Sequence, residues 1–157
     1  MKFNEYVCFD AVIPQLQATT RDEAITELVE ALAKAKRIPA DLTAEITKAV
    51  IKRENEASTG MGKGVAVPHV KHAAVKKVVA TIGQSSQGID FEALDEQPVY
   101  SVILLISPPG NTDRHLQAME NVFKHLQKER FRKFLRQCRD QAAFEDLLRE
   151  ADESPSW

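Results

Sequence analysis

The sequence predicts a single α/β domain, a mixed β-sheet flanked by helices on both sides. Three observations lead there. Residues 102–106 read V-I-L-L-I, a continuous apolar run of strand length, as expected of a central strand covered on both faces. Apolar residues recur at helical spacing around Ile25, Ile46, Val122 and Leu147. Helical and extended stretches are mixed along the chain without strict alternation, which favours a mixed sheet.

The chain has 157 residues and 17.6 kDa, the size of one ordinary domain and enough to bury a core without staples. A formal net charge of −2 and a pI near 6.1 imply no general affinity for nucleic acid or anionic lipid. No apolar run is long enough to span a bilayer, and the first ten residues lack the form of a secretory signal. A soluble, cytoplasmic protein without direct membrane insertion is therefore expected. Cys8 and Cys138 are too few and too far apart for a disulfide framework, and are expected as buried thiols in a reducing compartment. The domain is placed at residues 1–151, with residues 152–157 a loose tail.

Taken in order, residues 6–9 and 12–13 read as short extended pieces closed by Pro14. T-R-D-E at residues 20–23 has the form of a capping box, and Ile25, Leu28, Val29 and Leu32 make the stripe of the helix it starts. After Pro39, a second helix carries Leu42, Ile46, Ala49 and Val50 on one face. It brings Arg53 to its C-terminal end, either because the dipole favours a cation there or because a planar fork is needed beside the next segment.

That segment, residues 58–69, reads S-T-G-M-G-K-G-V-A-V-P-H. Gly60, Gly62 and Gly64 admit unusual backbone conformations and a ligand close to the main chain, and exposed amides in such a loop can cradle an anion. Residues 65–67 read as the start of a strand, Pro68 weakens its pairing, and His69 follows at the strand end. The spacing matches neither the Walker pattern nor the dinucleotide fingerprint, so spacing alone leaves open a plain glycine loop with an incidental histidine.

Residues 71–77 form a basic loop or helical turn, 78–83 a strand, Gln87 and Gly88 a turn, and 89–91 a short return to the sheet. Residues 99–107 are the central strand, stopped by Pro108, Pro109 and Gly110. The third helix begins at Thr112 or Asp113 with Leu116, Met119, Val122, Phe123 and Leu126 as its buried stripe and His115 beside it in the first turn. A histidine there is either half-buried and satisfied by a backbone group or part of an anion site at the positive helix end, where the neutral ring is favoured. Residues 124–139 hold seven Lys or Arg and one Glu, a basic strip with Phe131, Phe134 and Leu135 turned inward. Asp140 caps a last helix bearing Phe144, Leu147, Leu148 and Ala151.

With Arg53 and Glu54 upstream, R-E-N-E-A-S-T-G-M-G-K-G-V-A-V-P-H closely resembles the active-site signature of enzyme IIA domains of the fructose, mannitol and nitrogen-regulatory type. These belong to the bacterial phosphoenolpyruvate:sugar phosphotransferase system. The resemblance continues through G-I-D-F-E-A-L-D-E-Q-P-V and the H-L of His115 and Leu116, over roughly residues 5–150. Met61 stands where the family usually has isoleucine, and Val70 stands where a small residue is common, a bulk that would narrow the approach to His69.

The resemblance implies that His69 is phosphorylated by the phosphocarrier protein HPr. It implies that His115 and the groups around Ser58, Thr59 and Gly60 stabilise the phosphate, and that Arg53 orders the loop or approaches it. A neutral imidazole is itself a nucleophile near pH 7, and a loose transition state asks mainly for positioning, so the scheme needs no metal or other cofactor. Two outcomes follow: phosphorylation as a regulatory signal to protein targets, favoured by A-L-D-E-Q-P-V and by the absence of an attached sugar-passing domain, or transfer to a IIB cysteine for sugar uptake. A metal site from His69, His72, His115 and His125 is disfavoured because no acidic or thiol ligand completes a known spacing.

Overall fold

The computed structural model describes residues 1–154 and 157. Its centre is the predicted apolar strand. Among the described residues there are five α-helices and one five-stranded mixed sheet: α1 (Arg21–Lys34), α2 (Thr43–Glu56), β1 (Gly60–Gly62), β2 (Val65–Ala66), β3 (His69–Lys71), β4 (Val79–Ile89), β5 (Val99–Ser107), α3 (Thr112–Leu126), α4 (Glu129–Arg136) and α5 (Gln141–Glu153).

β5 is paired along both edges. β4 lies antiparallel on one side, from Val79 opposite Ile106 to Ile89 opposite Val99. The other side is shared end to end by two short parallel strands, β2 against Ser101 and Val102 and β3 against Leu105, Ile106 and Ser107. The gap between them is Val67 and Pro68, as expected of a residue that cannot donate to a ladder. β1 folds back antiparallel on β2.

Alternation along β5 sends its side chains into two cores. Val102, Leu104 and Ile106 join Ile25, Leu28, Val29, Leu32, Ile46 and Val50 of α1 and α2. Ile103 and Leu105 face Val122, Leu126, Phe131, Leu135, Phe144 and Leu148 of α3, α4 and α5. The sheet is thus covered on both faces, and the strand expected to be central is buried throughout except at Tyr100. The predicted caps of α1 and α5 are formed: Thr20 and Glu23 bond reciprocally, and the Asp140 carboxylate accepts from the Ala143 amide at 2.8 Å.

Several boundaries differ from expectation. The extended pieces near the N-terminus are single parallel bridges, Val7 with Ala80 and Ile13 with Gly83, separated by a 3-10 turn at Phe9–Ala11 and preceded by another at Phe3–Glu5. Gln87 and Gly88 do not turn the chain. They lie inside β4, where Gly88 takes φ 93° and the register against β5 shifts. α3 is capped by Asn111 instead of Thr112 or Asp113, its side chain accepting from the Arg114 amide. The buried face of α3 is His115, Ala118, Met119, Val122, His125 and Leu126, whereas Leu116 is 52% exposed. Phe134 is likewise exposed, and lies against Trp157 with ring centroids 5.6 Å apart. Of the tail placed at residues 152–157, α5 continues to Glu153 and the Trp157 ring meets Phe131 and Phe134 edge-on, while residues 155 and 156 lie outside the described residues. Among the described residues no helix is long and apolar enough to cross a membrane.

Candidate active site

α2, the segment after it, β3 and the start of α3 converge around His69. His69 opens β3, opposite Leu105, and its Nδ1 lies 2.8 Å from the Val67 carbonyl oxygen. A carbonyl can only accept, so Nδ1 carries the hydrogen and Nε2 keeps its lone pair. Burial pushes the ring's pKa below its ordinary value. The bond to Val67 opposes that shift, the Arg53 charge adds to it, and the Glu54 charge opposes it. The net result is a neutral imidazole at pH 7, held at one nitrogen and unprotonated at the other.

His115 reaches the same place from the first turn of α3. Its ring centroid lies 5.8 Å from that of His69, the planes inclined at 48°. It is buried, and its pKa is lowered by burial, then by His69 and Lys71. Its Nδ1 sits 2.7 Å from the Ser107 hydroxyl at the end of β5, a partner not expected from the sequence. The bridge from β5 to α3 is short, so the two side chains meet eight residues apart.

Arg53, in the last turn of α2, donates from Nη1 to the Ala57 carbonyl at 3.0 Å and ties down the chain leading to the glycines, while its charge acts on His69. Glu54 beside it is 2% exposed and accepts from both the amide (2.8 Å) and the hydroxyl of Thr59. Glu54 lies within the motif, where its only sequence signal is a carboxylate next to Arg53 on a helix of 3.6 periodicity, too weak to assign it a task.

The glycine stretch is a β-hairpin, not an open loop. Lys63 (φ 60°) and Gly64 (φ 76°) form its two-residue turn, both in the left-handed region that a type I′ turn demands. The Gly64 carbonyl accepts from the Tyr100 and Ser101 amides, which places the tip four residues along β5 from the partner of His69, about 13 Å at the usual strand rise. Gly62 and Gly64 therefore shape the hairpin and do not approach His69. Nor are the expected cradle amides of Thr59 and Gly60 open: they donate to Glu54 and to the Ser58 hydroxyl oxygen. Ser58, Thr59 and Gly60 stay close to the site, since the Thr59 carbonyl accepts from the Val67 amide. Val70 packs into the α1 and α2 core, on the face of β3 opposite His69, and does not narrow the approach.

The four histidines do not converge. His72 binds Glu45 through Nε2 at 2.6 Å, and His125 packs against the rings of Phe3 and Phe131. Among the described residues, no three His, Cys, Asp or Glu are placed to hold a metal ion.

Residues 7–151 match the family described as "Phosphoenolpyruvate-dependent sugar phosphotransferase system, EIIA 2". Two relatives are each 31% identical. One is the fructose-specific EIIABC component of Bacillus subtilis, matched over 97% of this chain, which spans only 24% of that protein's length. The other is a nitrogen regulatory protein of Bradyrhizobium diazoefficiens, matched over 94% of this chain and 95% of its own. Among solved structures, the nitrogen regulatory protein IIA-Ntr of Neisseria meningitidis superposes with a TM-score of 0.83 over 93% of this chain and 98% of its own, at 22% identity. The mannitol IIA of Escherichia coli, solved in complex with phosphorylated mannitol IIB, gives 0.73 over 89% and 94%, also at 22%. These two likenesses show the fold.

Proposed function

Because the chain belongs to the type-2 enzyme IIA family of the phosphoenolpyruvate-dependent sugar phosphotransferase system, we propose that His69 accepts a phosphoryl group from an HPr-type phosphocarrier protein. The carrying observation is the bond from His69 Nδ1 to the Val67 carbonyl, which leaves Nε2 as a lone-pair nucleophile beside a second buried histidine. In the transfer, the donor's phosphorus–nitrogen bond breaks as the bond to Nε2 forms, and the donor ring keeps the electron pair. The hydrogen of His69 stays on Nδ1, donated to the Val67 carbonyl, throughout. His115 then donates to a phosphoryl oxygen, and Arg53 holds the loop and adds positive charge; Ser58, Thr59 and Gly60 border the site, the amides of Thr59 and Gly60 already bonded within it.

Met61, Leu94 and Leu116 are exposed apolar residues of this region: Met61 in the hairpin, Leu94 bonded through its amide to the Gly60 carbonyl, and Leu116 next to His115. They support protein partners rather than a small free substrate. The reading extends to a regulatory outcome, in which phosphorylation at His69 changes the affinity for a protein target. It is supported by the nitrogen regulatory relative that this chain matches over nearly its whole length. The second reading, delivery to the cysteine of a IIB domain for sugar uptake, is supported by the fructose-specific relative and by the mannitol IIA solved with its IIB.

Incubation with phosphoenolpyruvate, enzyme I and HPr tests the acceptor. We expect an acid-labile, base-stable label that is lost in His69→Ala; undiminished labelling of that variant contradicts the proposal. The phosphorylated protein and His69→Ala, used as baits, separate the outcomes. A regulator holds a partner in one state about 5 to 150-fold more tightly. Rapid, sugar-dependent loss of label to permease-containing membranes with no state-dependent partner supports the carrier instead.

A further inference from the structure

We propose that Ser107 is a positioning residue, holding His115 with its hydrogen on Nε2 so that this N–H is the donor to a phosphoryl group on His69. Ser107 is the last residue of β5, fully buried, and its backbone is fixed twice, by the register with Lys71 and by the His72 amide, which donates to its carbonyl at 2.8 Å. Strand alternation puts its side chain on the face of Ile103 and Leu105, under α3. There its hydroxyl meets His115 Nδ1 at 2.7 Å, and among the described residues the hydroxyl has no other hydrogen-bond partner.

Hydrogen accounting decides the direction of that bond. If Nδ1 donated, the hydroxyl hydrogen would be left without an acceptor in a dry strand end, an unfavourable arrangement for a buried donor. If the hydroxyl donates, both groups are satisfied, and the neutral ring carries its hydrogen on Nε2. Burial and the neighbouring His69 and Lys71 keep the ring neutral, so the choice between tautomers is the one that matters.

The two rings are then complementary. His69 has its hydrogen on Nδ1, given to Val67, and an open Nε2; His115 has an open N–H at Nε2. Phosphorylation turns the His69 position into a cluster of acceptor oxygens, and His115 is already set to donate. The opposite tautomer would aim a lone pair at those oxygens.

The inference rests on the reading of His69 as phosphoryl acceptor, but its first test needs no phosphate. Long-range proton–nitrogen correlation spectra of the unphosphorylated, nitrogen-15-labelled protein report each ring's tautomer. We expect His115 Nδ1 to be pyridine-like and Nε2 pyrrole-like; the reverse overturns the proposal, whatever His69 does. In Ser107→Ala the tautomers should mix, and the rate of phosphoryl acceptance at His69 should fall about 2 to 10-fold, the worth of one hydrogen bond. Ser107→Thr, which keeps the hydroxyl, should restore both. An unaltered tautomer or an unaltered rate in a folded Ser107→Ala overturns the positioning role, and if that variant does not fold, the spectrum of the unaltered protein decides alone. Absence of label on His69 with the expected tautomer would instead strike the acceptor reading.

Discussion

Glu54 stands one residue from Arg53 on α2, yet the two side chains do different work. The arginine holds the Ala57 carbonyl, and the carboxylate, almost wholly buried, holds the amide and hydroxyl of Thr59. Together they clamp the chain on either side of Ser58 before it enters the hairpin. Removing the carboxylate takes away the acceptor of the half-buried Thr59 amide and hydroxyl, a loss of about 1 to 3 kcal/mol. Glu54→Ala should therefore lower the urea midpoint by that free energy at an unchanged denaturant slope, and phosphoryl acceptance by the folded fraction should slow as the loop loosens. A variant as stable as the parent would show that Thr59 is satisfied in another way. Charge at this residue also acts on His69 in the opposite sense to Arg53, so the pair balances the ring's neutrality.

Among the elements, those set by local chemistry were legible in the sequence. The capping box of α1, the Asp140 cap of α5 and the five-residue apolar run of β5 each specify one structure with one mechanism. Position 116 of α3 was misleading because residues 115 and 116 are both a helical step of three or four from Met119. Hydropathy favours the leucine, whereas the bond between His115 and Ser107, which involves a strand end unseen in the helix pattern, turns the histidine inward. The glycine stretch misled in another way. Its turn is Lys-Gly rather than the usual Asn-Gly, so the hairpin signal was weak, and amides that looked free are taken by Glu54 and Ser58, contacts that composition does not announce. At Gly88 the positive φ was foreseeable, but a bulge within a strand and a turn between strands ask the same of a glycine. The place of His69, after Pro68 and beside the central strand, was legible; the orientation of its ring was not.

At the scale of the whole molecule, one sheet with a helical layer on each face carries three histidines whose pKa values are lowered, chiefly by burial: His69, His115 and His125. The unfolded chain binds protons on them near the ordinary value of about 6.5, and the folded protein resists until a lower pH. Between those values the unfolded state holds more protons, so stability is fully present above about pH 6.5 and declines as pH falls. Denaturation free energies measured from pH 7.5 to 5.5 should decrease, by at most about 1.4 kcal/mol per histidine per pH unit, before the carboxylates titrate. A flat profile over that range would mean that the rings are hydrated in the native state.

The same burial and the Val67 bond underlie the proposal that His69, as a neutral imidazole, takes phosphate on Nε2. Phosphorus–nitrogen coupling in the nitrogen-15-labelled phosphoprotein tests it most directly. One phosphorylated histidine is expected, His69, coupled through Nε2; phosphate on its Nδ1, or on any other histidine, would overturn the proposal.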